Sequence, residues 1–157
     1  MSLPEALSAL QGSRIAHTIA GSNHMVIAVF QIVHVFGFIF LLAPSFLLAL
    51  RLLGRVLPDL PLEGILRGAR RLVILGLAMT LSSGALMFLT GPLHYYANPA
   101  FDLKMELLIA ALGLQALIFL VLGSCPGIPL PVARVSVSLS IVAWLAVSVA
   151  ARAIAFV

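Results

Sequence analysis

At 157 residues, 62% of them hydrophobic and 9% charged, with mean hydropathy +1.20, the chain is too apolar for a soluble domain; it reads as one integral-membrane domain over 1–157. The net charge of +4 clusters around the ends of apolar runs, so it speaks for orientation in a lipid bilayer and against a nucleic-acid partner. A single cysteine excludes an internal disulfide and any cysteine-based metal cluster.

In chain order, residues 2–12 predict a short helix lying at the membrane interface. Ser2 and Glu5 have capping-box spacing, Pro4 suits a first turn, and Leu3, Leu7 and Leu10 share one side. No basic start followed by an apolar run and a cleavage site is present, so no removable signal peptide is expected. Residues 13–23 read as a polar connector ending in the N-cap cluster Gly21-Ser22-Asn23.

Four spans follow, at about 24–50, 72–90, 103–122 and 132–157. Pro44 stands inside the first and is a candidate kink. Between the first two lies a loop rich in arginine, broken by Pro58 and Pro61, with one short amphipathic surface turn at Leu62, Ile65 and Leu66. Gly76, Thr80, Ser83, Met87 and Thr90 recur at spacings of four and three, giving the second span a face of small and weakly polar groups suited to helix packing. Tyr95, Tyr96 and Phe101 form an interfacial aromatic belt, and Asn98 before Pro99 signals a helix start. Gly123–Pro131 reads as a tight loop containing Cys125, which no basic or histidine neighbour activates. The fold class expected is all-α, an up-down four-helix membrane bundle with an N-terminal interfacial helix.

Six of the nine basic residues (Arg51, Arg55, Arg67, Arg70, Arg71 and Arg134) fall after spans one and three. The positive-inside rule then puts both termini outside, facing the periplasm if the membrane is a bacterial inner membrane.

An ionisable residue in a membrane span is costly and by default a functional candidate, which singles out His34. Counting about 1.5 Å of rise per residue from the outer ends places His34, Ser83 and Gln115 in one central layer. Gln31 and Met87 come one turn outward, and Lys104, Glu106 and Arg152 above them. The expected bundle has a polar outer half and an apolar inner half. Two readings of His34 follow. It is either a neutral histidine bonded to Gln115 or Ser83 as interhelical glue, or the ligand of a cofactor with an apolar body and anionic tails. Haem b suits the second. His34 is then the iron ligand, with Phe36, Phe38, Leu41 and Phe88 around the macrocycle, Lys104 or Arg152 at the propionates, and His94 or Met87 as candidates for the second axial position. A quinone head group between His34 and Gln115 is a further reading. His17, His24 and His94 lie near the outer interface, where wet side chains are the default and a copper or zinc site the alternative. Glu106 is expected to pair with Arg152 or Lys104. No hydrolase or nucleotide-binding motif occurs.

The stretches His34-Val-Phe-Gly37, Leu50-Arg-Leu-Leu-Gly54, Gly84-Ala-Leu-Met-Phe88, Tyr96-Ala-Asn-Pro-Ala-Phe-Asp-Leu-Lys-Met105 and Trp144 through Phe156 resemble a family of short, uncharacterised four-helix bacterial membrane proteins. The resemblance covers nearly the whole chain, and its most specific part is Asn-Pro-Ala-Phe-x-x-Lys. More distantly, a first-span histidine plus a lysine opening the third span is similar to the copper-resistance CopD proteins and the HemJ-type protoporphyrinogen oxidases. That similarity implies haem or porphyrin chemistry, with His34 and Lys104 at the matching positions. The chain departs from it in having no third-span histidine. The expectation is thus a small b-type haem protein in electron transfer, or a redox subunit, whose cofactor-binding residues are His34, Gln31, Gln115, Lys104, Arg152 and Met87, with His34 and His94 on the metal. The alternatives are a non-catalytic assembly subunit of a larger membrane complex, or a metal-free quinone or small-molecule bundle. The partners expected are the bilayer, a redox partner or larger complex, and a second copy of the chain in a homo-oligomer.

Overall fold

A computed structural model describes residues 2–124, 129–154 and 156 of the chain. The regular secondary structure of the described residues is all helix, in α1 (Leu3–Gln11), α2 (Arg14–Ala20), α3 (His24–Leu52), α4 (Leu62–Phe88), α5 (Pro92–Tyr96), α6 (Pro99–Ser124) and α7 (Leu130–Ala153). Helices α3, α4, α6 and α7 are each long and apolar enough to cross a bilayer. The chain is a multi-pass membrane protein.

Local chemistry sets the starts. Ser2 N–H donates to Glu5 Oε2 at 2.7 Å, completing one arm of the expected capping box. Asn23 Oδ1 accepts from Met25 N–H at 3.2 Å and caps α3. Asn98 Oδ1 accepts from Ala100 N–H at 2.9 Å ahead of α6, while its Nδ2 donates to Ile154 O at 3.2 Å at the end of α7.

Three boundaries differ from the sequence reading. The connector at 13–23 contains helix α2, whose N-cap Ser13 accepts from Ala16 N–H at 3.2 Å. The amphipathic turn at Leu62–Leu66 is not separate but opens α4, which begins ten residues before the expected start of the second span. Arginines are good helix formers and Glu63 pairs with Arg67 one turn on at 2.6 Å, so the charges decorate the helix rather than end it. The third span begins at Pro99 and not at 103. The expected Cys125 feature lies outside the described residues, as does the far end of the fourth span at Val157.

The bundle is two hairpins, α3 on α4 and α6 on α7, joined mainly through α3 and α7; α4 and α6 touch little. Within the first hairpin, Gly37 and Gly76 bring the backbones together. A methyl built on Gly76 would lie 2.5 Å from Gly37 O and 2.7 Å from Leu41 N. Two apolar clusters fill the interior, one around Leu41, Val73, Ala111, Trp144 and Val147, the other around Leu48, Leu52, Leu66, Ile118 and Val137. At the loop end, Arg51 donates to Pro58 O and Leu60 O, both at 2.9 Å, and Arg134 Nε donates to Leu52 O at 2.8 Å. These arginines fasten the α3–α4 loop and the end of α3.

Candidate functional site

Because α4 and α6 barely meet, the two hairpins leave a cavity of about 720 Å³ between them. That is within the range of small-molecule and cofactor sites. Its walls are apolar, with Phe38 from α3, Phe88 from α4, Phe101 and Leu108 from α6, and Trp144 and Val147 from α7. Four polar side chains line it: His34, Thr80, Lys104 and Ser148, one from each spanning helix.

His34 is half-buried and held from α4. Its Nδ1 lies 3.1 Å from Ser83 Oγ. Ser83 Oγ has one proton, and that proton goes to Met79 O at 2.6 Å. With its proton on Met79 O the hydroxyl accepts from the ring, the tautomer that has Nδ1–H and a lone pair on Nε2. Among the described residues Nε2 has no hydrogen-bond partner. Gly84 makes the room: a methyl there would stand 3.1 Å from His34 Cε1.

The other three polar groups are also unmatched. Lys104 is half-buried, and among the described residues no carboxylate comes within ion-pair reach of it. Thr80 Oγ1 is buried with no hydrogen-bond partner. Ser148 Oγ makes no hydrogen bond among the described residues, whereas Ser45, Ser82, Ser83, Thr90 and Ser136 each donate to a carbonyl three or four residues back. Several polar groups with unmet hydrogen-bonding capacity thus meet in this cavity, where an unpaired polar group is costly; the other buried unpartnered atom among the described residues, Arg51 Nε, lies at the far end of the bundle.

Of the ligand and polar residues expected from sequence, His34 and Lys104 face the cavity together and Gln31, Met87, His94, Gln115 and Arg152 do not. Gln31 and Arg152 are exposed; the Arg152 guanidinium lies 5.2 Å from the centre of the Phe156 ring. Met87 lies off the cavity, and the methionine that lines it is Met105. His94 is exposed on α5, edge-on to Tyr95 at 5.8 Å, and does not reach the His34 pocket. No three His, Cys, Asp or Glu side chains cluster as metal ligands among the described residues, so His17, His24 and His94 do not assemble. Glu106 is exposed and pairs with neither Lys104 nor Arg152, since positions two apart point to different sides of a helix. Phe36 is 53% exposed on the outside of the bundle and Leu41 is in the core, which leaves Phe38 and Phe88 of the expected aromatic surround. Thr80, Gly84, Phe101, Trp144 and Ser148 also line the site; Thr80 stands on the small-residue face of the second span, read there as packing, and Phe101 in the aromatic belt, read there as interfacial.

Gln115 belongs to a different layer. Its Oε1 accepts from Ser140 Oγ at 2.9 Å and Trp144 Nε1 at 3.2 Å, with Ser45 Oγ at 3.5 Å. An indole nitrogen only donates, which fixes the orientation of the amide. Ser45 follows His34 by eleven residues on α3, so the Gln115 layer lies about 16 Å deeper. The inner half of the bundle thus has its own polar knot, and the apolar inner half expected from sequence is corrected. Aromatic rings gather at the outer end of the cavity: Phe88 stacks on Phe101 at 5.5 Å, and Tyr95 of α5 packs on both at 5.8 and 5.5 Å. Helix α1 rests on α5, with Leu93 N–H donating to Gln11 Oε1 at 3.3 Å.

A model of the family of unknown function DUF6644 matches residues 12–157, and the chain belongs to that family. No curated protein and no solved structure matches the chain.

Proposed function

We propose that this member of the DUF6644 family is a small b-type haem-binding protein of the bacterial inner membrane, working in electron transfer or as a redox subunit, with His34 as the axial ligand. One observation carries the reading. His34 sits on an apolar cavity with Nδ1–H held by Ser83 and Nε2 unpartnered, the arrangement in which metal-ligating histidines are commonly fixed. The other residues suit the group. Phe38, Phe88, Phe101 and Leu108 would surround the macrocycle, and Lys104 would meet a propionate. Haem would supply a one-electron centre. Gln115, which a quinone head group would need beside His34, is engaged in the deeper layer, and this favours haem over that ligand.

Arg51, Arg55, Arg67, Arg70, Arg71 and Arg134 gather at the end of the bundle away from the cavity. By the positive-inside rule that end is cytoplasmic, the cavity lies in the periplasmic half, and both termini are periplasmic. A redox partner would approach from that side.

The test is an absorption spectrum of the detergent-purified protein from haem-replete cells. A Soret band that is lost in His34→Ala and kept in His94→Ala is expected. A folded, colourless preparation from the same cells overturns the proposal.

A further inference from the structure

The outer end of the cavity carries stacked rings, and its flank faces lipid. Phe88 and Phe101 stand at its outer end with Tyr95 packed on both, and α5 and α1 lie beyond them. Its flanks are different. Val35, Ile39, Leu81 and Met105 all line the cavity, yet they are 57, 50, 46 and 37% exposed. They stand on spanning helices, so what they are exposed to is hydrocarbon. The opening is therefore lateral, with an apolar rim, while the chemistry inside is cationic and rich in hydrogen-bond donors. Lys104 has no counter-charge, and the hydroxyls of Thr80 and Ser148 have no acceptor among the described residues. An apolar portal leading to an uncompensated cation suits a molecule that is itself apolar with one acidic end.

We infer that the cavity is loaded sideways from the bilayer, by a membrane-dissolved amphiphile whose carboxylate pairs with Lys104. The inference rests on this cavity being the ligand site, as proposed above, but not on the ligand carrying iron. A charge-assisted bond from Lys104 holds the acid group, Thr80 and Ser148 supply further donors, and the aromatic and aliphatic walls take the body.

Trp144 reports on this directly. It is the sole tryptophan, it lines the cavity, and it is 1% exposed. Its indole is fixed by Gln115 at 3.2 Å and by an edge contact with Phe38 at 6.3 Å. The protein, prepared without haem and reconstituted in phosphatidylcholine vesicles, is titrated with bromostearic acid, whose bromine quenches tryptophan at short range. Saturable quenching of Trp144 is expected, with no matching effect of bromostearic acid methyl ester and little quenching by acrylamide or iodide from water. Lys104→Gln is expected to raise the half-saturating concentration about tenfold, and Lys104→Arg to restore it in large part. Circular dichroism on each variant confirms that the bundle is intact; should Lys104→Gln fail to fold, the acid-versus-ester comparison on the unaltered protein decides alone. Non-saturable quenching, equal quenching by acid and ester, or ready access of acrylamide overturns the inference. A colourless protein that binds the bromo acid sinks the haem reading and leaves this one standing; a haem protein whose haem-free form ignores the acid does the reverse.

Discussion

Gln115→Leu separates glue from site, two roles that the sequence left joined. Leucine keeps most of the volume and removes the acceptor shared by Ser140, Trp144 and, at longer range, Ser45. The three donors do not suffer equally. Ser45 already donates to Leu41 O at 2.8 Å and loses little. Ser140 sits mid-helix and can turn its proton to a carbonyl of the preceding turn, as Ser45 and Ser136 do. Trp144 Nε1, buried and rigid, has no such fallback. A buried donor left unpaired costs about 1–3 kcal/mol in soluble proteins. Interhelical bonds inside membranes average about 0.6 kcal/mol with a ceiling near 1.7. One lost bond plus one rearranged bond gives a destabilisation of about 1–2 kcal/mol. The assay is reversible unfolding in mixed micelles, followed by circular dichroism, with Trp144→Phe and the double variant completing a cycle. The double variant should be less destabilised than the sum of the two singles, because neither orphan then remains. The Soret band should survive in Gln115→Leu. Unchanged stability with loss of the bound cofactor would refute the assignment of Gln115 to the deeper layer.

Two further outcomes are expected. Ser83→Ala removes the acceptor that fixes the His34 tautomer, and haem titration followed by the Soret band should show affinity lower by about 10–100-fold, with helix content unchanged; undiminished affinity would count against that role. Gly76→Leu places side-chain atoms where Gly37 O and Leu41 N already stand, so α3 and α4 must part; a stability loss of about 1–3 kcal/mol is expected in the same micelle assay, and wild-type stability would argue against the close crossing.

Much of the architecture was legible because it depends on local chemistry. Four apolar runs, the Asn23 cap, the Ser2–Glu5 box and the Asn98–Pro99 start are all written in short windows of sequence. His34 and Ser83 were brought level by counting rise along two helices, and they meet. The same count failed for Gln115. It assumed that Lys104 marks the outer end of its helix, whereas α6 begins at Pro99 and Lys104 reaches the His34 cavity. Relative offset and tilt of helices are properties of packing, which no window of sequence contains. The sequence reading sets Gln31 one turn outward of His34 and Arg152 above it; the rotation of each helix about its axis turns both outward. The start of α4 was missed because charged residues were taken as a loop signal, although at the edge of a bilayer they are compatible with a helix.

The division into two hairpins has a consequence for assembly. Each hairpin is local in sequence, α3 on α4 through the glycine crossing and α6 on α7. The cavity belongs to neither. His34 and Thr80 come from the first hairpin, Lys104 and Ser148 from the second. It comes into being only when the finished halves dock, and a molecule caught between them touches both. Such a guest acts as a rivet: its binding free energy adds to the association of the halves and raises the stability of the whole chain by mass action.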